Sequence, residues 1–460
     1  MSTAYAHFIG IGGAGMSALA RVLVERGVAV TGSDLKESRY AKALADLGVP
    51  VAIGHAAENL GDPDVVVVSS AIPESNPELV EARQRGLPVW SRAQMLAHLG
   101  KGLKTLAVAG THGKTTTSSM LATVLAALGK DPTFLIGGEL NDMGSNARSG
   151  SGEFYVVEAD ESDGSFVELD PFVAVITNIE ADHLDHYGSL DEVVAAFGDF
   201  IAKTADDGTV VVCGDDPKLA HVARERSRAR VVTYGSGDDV EVRFRPLEQR
   251  GSGWAFDVSF PDGTGVECRT AVPGLHNVSN ATAVLAAVWA LALDVEAAAR
   301  AVAGFSGVRR RFERVGEVDG IVVVDDYAHH PTEVRATLRA ARQSSGARRI
   351  IAVFQPHRYT RTAALEREFG EAFVEADRVV LLDVYAAGEA PIPGVSGKSV
   401  LDALLEHDPR TQAAYFPHRA EIAPYIARSA RAGDLVMTLG AGDVTLLARD
   451  IVRALQRIEE

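Results

Sequence analysis

The segment 110–116, Gly-Thr-His-Gly-Lys-Thr-Thr, constrains this chain more than any other. It follows the apolar run 103–109 and precedes a helix-like stretch at 118–128. A strand, a glycine-rich turn, Lys-Thr and a helix, in that order, form a cradle for polyphosphate. Small residues let backbone N–H groups approach the oxygens, and the helix N-terminus adds its dipole. The lysine ammonium neutralises charge on β- and γ-oxygens, and a hydroxyl after it can ligate Mg²⁺. Gly110, Thr111, His112, Gly113, Lys114, Thr115 and Thr116 are therefore candidate phosphate-binding residues. The spacing is shorter than a full Walker A motif, whose first glycine would fall at Val108.

At 460 residues the chain is too long for one ordinary core. Its pattern divides into three consecutive α/β domains, expected at 1–102, 103–308 and 309–460. The first alternates strand-like runs at 7–11, 28–32 and 65–69 with a helix from Met16. The second has further strands at 154–158, 173–178 and 210–213, an antiparallel stretch at about 240–272, and a helix from near His276. The third repeats the α/β pattern, with strands at 321–325, 349–354, 379–383 and 435–439. Short Val- and Ile-rich runs of this kind belong to parallel sheets buried on both faces.

A formal charge of −17 argues against non-specific DNA or anionic-membrane binding, so phosphorylated ligands must be gripped by local positive sites. The two cysteines, Cys213 and Cys268, have no metal or redox spacing and read as reduced thiols. No signal peptide is visible, and the longest apolar stretch, 281–293, is too short to span a bilayer. A cytoplasmic location without membrane insertion is the expectation.

In open α/β sheets, ligands bind beyond the carboxyl ends of the strands. The run 10–15, Gly-Ile-Gly-Gly-Ala-Gly, follows the first strand, and Asp34 ends the second. This glycine set fits NAD(P), another nucleotide diphosphate, or a purely structural turn. Glu158 ends a strand and, with Thr115, offers the oxygen donors Mg²⁺ prefers; the acids at 160–163 read as solvated or outer groups. His183 follows another strand and can bind a metal, orient a phosphate or cap a helix. Asn277 and Asn280 share a helical face and suit either helix capping or reading an adenine edge. Among Arg309, Arg310 and Arg311, one can reach a transferring phosphoryl group, although such runs are also common on solvated faces. The run 325–331 opens a helix after a strand, and Arg358 and Arg361 flank Tyr359 in a pattern suited to phosphate or carboxylate recognition.

These residues resemble the Mur ligases of peptidoglycan precursor synthesis. The carriers are GIGGAGMS at 10–17, GTHGKTT at 110–116, EADESDGSF at 158–166, TNIEADHLD at 177–185, GLHNVSN at 274–280, DDYAHHPTE at 325–333 and FQPHRYTRT at 354–362. Seven such motifs in order span essentially the whole chain. The resemblance implies a Rossmann-like N-terminal domain for UDP, a P-loop-type, ATPase-like central domain, and a Rossmann-like C-terminal domain that closes over the nucleotide. It is nearest the branch that joins L-alanine to UDP-N-acetylmuramate using ATP and Mg²⁺.

Carried over by residue, the resemblance gives Lys114 the β/γ-phosphates, Thr115 and Glu158 one Mg²⁺, and His183 a second. Asn277 and Asn280 would face adenine, Arg311 the γ-phosphate, Asp326 the ribose, and His330 would also belong to the ATP site. Gly12, Gly13, Gly15 and Arg92 would lie on the UDP-sugar, with Ser33, Asp34, Ser70 and Ile72 around uridine. His357, Arg358 and Arg361 would face the sugar acid. Several relatives carry a carbamylated lysine after the histidine motif, where this chain has Ala195-Ala196-Phe197, as in the L-alanine branch. The rivals are a murein-peptide ligase of the same family, an NAD(P)-dependent oxidoreductase, and a non-catalytic nucleotide-binding regulator.

Overall fold

The computed structural model describes residues 3–457, the side chain of Asp185 excepted. Contacts group the chain into two compact units. One holds the residues up to Ile179 with Asp191–Glu241 and Ala283–Ala301; the other holds Glu180–Leu190, Val242–Thr282 and the chain from Val302 onward.

The first unit contains two sheets. Its N-terminal sheet has five parallel strands, in the spatial order Val51–Ile53, Ala29–Asp34, Tyr5–Ile9, Val65–Val68, Val89–Ser91. This is the Rossmann order, in which the chain reverses direction across the sheet beside the first strand and leaves a crevice at the strand ends. The other sheet places Lys104–Ala109 between Phe154–Glu158 and Val173–Ile176, all parallel. Thr209–Cys213 and Arg230–Gly235 extend it on one side, and Thr133–Leu140 and Ser145–Arg148 on the other. Residues 106–109, 156–157 and 174–176 are completely buried, which is why these runs are unbroken Val, Ala, Leu and Ile rather than alternating.

In the second unit, Val242–Arg250, Gly253–Ser259 and Gly265–Arg269 form the expected antiparallel meander, bulged between Pro246 and Glu248. A six-stranded sheet follows, in the order Glu313–Val318, Ile321–Asp326, Asp434–Leu439, Arg349–Phe354, Arg378–Leu382, Gln412–Phe416. Only its first pair is antiparallel. Consecutive residues feed separate cores: Val324, Phe354 and Val379 pack in one cluster, and Val323, Val353 and Val380 in another. Both faces are therefore covered, as parallel sheets require.

The strands at 154–158 and 349–354 fall where expected. The helix after the phosphate loop, Lys114–Ala127, starts four residues earlier than its apolar pattern, because Gly113 at φ 83° turns the chain directly into it. Thr133–Leu140 carries Gly137 and Gly138 in its interior, which weakens the strand signal in the sequence. Among the described residues, no helix is long and apolar enough to cross a membrane.

Candidate active site

The phosphate loop is built by its neighbour strand. Gly110 (φ 132°) passes so close to Thr177 that a Cβ there would lie 2.1 Å from the threonine Oγ1. Thr177 Oγ1 donates to the His112 carbonyl at 2.6 Å, and Asn178 Oδ1 accepts from the His112 N–H at 2.9 Å. The loop enters Lys114–Ala127 with no side-chain cap, so its first amides stay available to an anion. Lys114 Nζ folds back onto the Gly110 carbonyl at 2.7 Å and onto Glu161 at 2.8 Å. Burial disfavours the ammonium, but Glu161, Asp160 and Glu158 outweigh it and hold Lys114 above its ordinary pKa.

Thr115 and Glu158 meet as expected: Thr115 Oγ1 donates to Glu158 Oε1 at 3.1 Å, and the Gly137 N–H donates to Oε2 at 2.8 Å. Burial raises the Glu158 carboxyl, with Lys114 opposing. A hydroxyl and a carboxylate side by side, at an uncapped helix start, are a donor set that suits Mg²⁺. Glu161, expected among the solvated or outer acids, is instead buried and is the direct partner of Lys114. Its signal in the sequence is hidden by a run in which every acid looks alike.

At the crevice of the first sheet, Asp34 Oδ2 accepts from the Gly12 N–H at 2.9 Å. Gly13 starts the helix Ala14–Glu25 with no side-chain cap, and a Cβ on Gly15 would lie 3.3 Å from Arg92 Cδ. A Cβ on Gly10 would meet Ser69 and Ile72, so the turn holding Ser70 and Ile72 lies against the glycine loop. Ser33 departs from its expected role. It is completely buried and its hydroxyl donates to Glu78 at 2.6 Å, so it supports the crevice from behind rather than lining it.

The remaining residues belong to the second unit. His183 sits at φ 54° as the residue before the short helix Leu184–Tyr187, its N–H donating to Asp182 at 2.8 Å. Arg361 is buried and grips Asp182 through Nε at 3.1 Å and Nη2 at 3.0 Å. Burial alone would raise Asp182, but Arg361 first, then His183 and His329, hold it far below the usual carboxylate range. The expected role for Arg361 on the sugar acid is therefore met by an internal carboxylate here. Arg358 adopts φ 69° and begins the helix Tyr359–Ala364. The His357 ring stacks on Tyr385 at 5.6 Å; burial, then the charges of His329 and Arg361, push it down to about 3, so it is neutral at ordinary pH.

The three arginines separate. Arg309 lies 4.0 Å from Glu313, Arg310 donates to the Gly440 carbonyl at 2.8 Å, and Arg311 lies 3.9 Å from Glu333. Arg310 and Arg311 both pack on the Tyr327 ring, at 4.7 and 5.1 Å. Asp326 accepts the N–H groups of Phe312 at 2.7 Å and Ala328 at 2.8 Å, and burial raises it to about 6. Asn277 and Asn280 do share a face: Asn280 Nδ2 donates to Asn277 Oδ1 at 3.1 Å, while Asn277 Nδ2 donates to the Pro273 carbonyl at 2.7 Å. His330 caps the helix Pro331–Ser344 by accepting the Thr332 N–H at 3.3 Å.

Family models match nearly the whole chain: the Mur ligase family catalytic domain at 5–103, the Mur ligase middle domain at 108–288, and the Mur ligase glutamate ligase domain at 310–442. The chain belongs to the Mur ligase family. It is 48% identical over 452 residues to a UDP-N-acetylmuramate–L-alanine ligase of Pelotomaculum thermopropionicum, covering 98% of each chain. It is 50% identical over 450 residues to the protein of that name from Rubrobacter xylanophilus, covering 98% of this chain and 99% of the relative. The crystal structure of a UDP-N-acetylmuramate–alanine ligase from Thermotoga maritima superposes with a TM-score of 0.81 at 32% identity, covering 99% of this chain and all of that one. A murein peptide ligase from Psychrobacter arcticus superposes with a TM-score of 0.73 at 27% identity, covering 98% of both chains.

In this Mur ligase the Ala195-Ala196-Phe197 stretch is core. Phe197 is fully buried, its ring 5.2 Å from that of Phe166, so no lysine-derived carbamate can form there. Thr177 and Asn178 open the TNIEADHLD motif at 177–185, which gave them no role, and they are the residues that hold the loop. Their signal is position, directly after the strand that neighbours the loop strand.

Proposed function

We propose that this chain couples ATP to amide formation between the lactyl carboxyl of UDP-N-acetylmuramate and the amine of L-alanine, giving UDP-N-acetylmuramoyl-L-alanine, ADP and phosphate. The observation that carries the chemistry is the Lys114 ammonium beside the Thr115–Glu158 oxygen pair, at the open N-terminus of one helix. The choice of amine is supported by relatives at 48–50% identity named for L-alanine. We assign 1–102 to the UDP-sugar, 103–308 to ATP and 309–460 to completing the nucleotide site, in the cytoplasm where both nucleotides are supplied.

A carboxylate is a poor acyl donor, so its oxygen first attacks the γ-phosphorus; ADP leaves and an acyl phosphate forms. The L-alanine amine then attacks the acyl carbon. The tetrahedral adduct loses a proton from nitrogen and expels phosphate as the C–O bond breaks. The first step brings two anions together, and their repulsion is its main obstacle. Lys114 and Arg311 are assigned to neutralising that charge, because positioning and electrostatics dominate phosphoryl transfer. Thr115 and Glu158 would hold Mg²⁺, with His183 assigned to a second ion; when bound, the metal supplies positive charge beside the phosphate oxygens. Asn277, Asn280, Asp326 and His330 are assigned to the nucleoside side of ATP. Gly12, Gly13, Gly15, Asp34, Ser70, Ile72 and Arg92 are assigned to the UDP-sugar, with His357 and Arg358 toward its acid and Arg361 paired with Asp182. Water must be kept from the acyl phosphate, which would otherwise hydrolyse.

The test is phosphate release with UDP-N-acetylmuramate, ATP and Mg²⁺, adding amino acids one at a time. L-alanine is expected to stimulate release and to appear in the product. Stimulation by a peptide such as a tripeptide, with none by L-alanine, would overturn this reading in favour of a murein-peptide ligase.

A further inference from the structure

The strand Ala29–Asp34 ends in two residues that hold the glycine loop. The Ser33 carbonyl accepts from the Gly10 N–H at 2.8 Å and the Ile11 N–H at 3.0 Å, and Asp34 accepts from Gly12. The position of the loop amides therefore follows the position of Ser33. That residue is itself anchored behind the crevice. Its hydroxyl donates to Glu78 Oε2 at 2.6 Å and so accepts from His55 Nδ1 at 2.9 Å.

Glu78 lies on the helix Pro77–Gln84 and is completely buried. His7 Nε2 lies 3.1 Å from Oε2, while Asn59 Nδ2 at 2.8 Å and the Ala56 N–H at 3.1 Å donate to Oε1. Burial by itself would raise this carboxyl; the hydrogen bonds from His7, Ser33, Asn59 and Ala56 outweigh it and bring Glu78 to about 2. Replacing this carboxylate with an apolar side chain would leave the Ser33, Asn59 and Ala56 donors without their acceptor.

We infer that Glu78 is a positioning residue for the UDP-sugar crevice: it clamps Ser33, and through the Ser33 carbonyl it sets where the amides of Gly10 and Ile11 stand. Glu78 touches no substrate in this scheme. The inference rests on the reading of the Rossmann crevice as the UDP-sugar site. A helix and loop that bind pyrophosphate through backbone groups tolerate little displacement, so a small shift of Ser33 acts on affinity rather than on the chemical step.

The experiment uses full-length Glu78→Gln and Ser33→Ala proteins. UDP binding is measured by calorimetry, and initial rates are measured with UDP-N-acetylmuramate varied at saturating ATP and L-alanine. Losing one hydrogen bond to the buried carboxylate should raise the UDP Kd and the UDP-sugar KM about tenfold in each variant. The KM for ATP should stay within about twofold, and the double variant should be no weaker than the weaker single, because both act through one contact. Unchanged UDP affinity in either folded variant, or an equal rise in the KM for ATP, would overturn the assignment. If Glu78→Gln does not fold, Ser33→Ala decides by the same criteria. A wild-type protein that binds no UDP would instead overturn the reading of the crevice itself.

Discussion

Lys114 Nζ stands 2.8 Å from Glu161 Oε2, so the phosphate-loop ammonium is already held by a buried carboxylate. A γ-phosphate must compete with that carboxylate for the same cation, and the loop carbonyls of Gly110 and Thr111 keep the lysine in place during the exchange. Lys114→Ala removes the only part of this arrangement that carries positive charge. It should lower ATP-dependent amide formation by about a thousandfold. Circular dichroism should show the fold retained, with thermal stability reduced because Glu161 loses its partner. Near-normal turnover by a folded variant would refute this role.

The pairing of Thr115 with Glu158 leads to a divalent-ion prediction. Chelation by EDTA should abolish phosphate release, and added Mg²⁺ should restore it. Thr115→Ala and Glu158→Gln each delete one oxygen donor, so each should raise the half-saturating Mg²⁺ concentration by about tenfold. Equal Mg²⁺ dependence in wild type and both variants would remove this pair from the metal site.

Much of this was legible in the sequence because parallel sheets write themselves as unbroken apolar runs. The residues that end or follow those runs are then at the carboxyl edge of a sheet, as Gly10, Gly110, Glu158 and Asp326 are. What was not legible is which neighbour turns inward. Glu158 and Glu161 lie in one acidic run, yet only tertiary packing makes Glu161 the lysine's partner. Ser33 and Asp34 are adjacent, but strand alternation sends them to opposite faces, one into the Glu78 network and one toward Gly12. Likewise Arg310 and Arg311 part at backbone torsions that no residue pattern announces, since Arg310 takes φ 60°.

Asp326 gives a pH prediction. Burial raises its pKa from 3.8 to about 6, so the folded protein binds a proton there that the unfolded chain releases near pH 4. A raised acid contributes its stability at low pH and loses it as pH rises from about 4 to about 6. The loss is on the order of 3 kcal/mol at most. Urea denaturation of wild type and Asp326→Ala at pH 4.5 and 7.5 should therefore show the stability difference shifting toward the variant at the higher pH. A difference that is flat with pH would show that Asp326 does not titrate in this window.

Gly110 is held by geometry at two levels, its φ of 132° and the 2.1 Å approach of Thr177 Oγ1 to the place a Cβ would take. Gly110→Ala should cost about 3 kcal/mol, combining backbone strain with overpacking. Thr177→Ala removes the colliding oxygen, together with its hydrogen bond to His112, but not the strain, so in denaturation measured against Thr177→Ala alone Gly110→Ala should show about half of its loss recovered. Full recovery would mean the torsion is cheap, and no recovery would mean the contact is.

Asp182 and Arg361 form an ion pair in the second unit in which both partners are buried and the arginine donates through Nε and Nη2. Removing one partner leaves an uncompensated charge, which costs about 3–5 kcal/mol, whereas removing both costs less than the two losses added. A double-mutant cycle with Asp182→Ala and Arg361→Ala should thus give a coupling energy of about 2 kcal/mol or more. The sign with pH is opposite to that of Asp326. The depressed Asp182 contributes stability above its unfolded pKa and loses it as pH falls, so the measured coupling should shrink on acidification below about pH 4. If the cycle is additive at neutral pH, Arg361 is not committed to Asp182 in solution and is available to a substrate carboxylate without first breaking an internal pair.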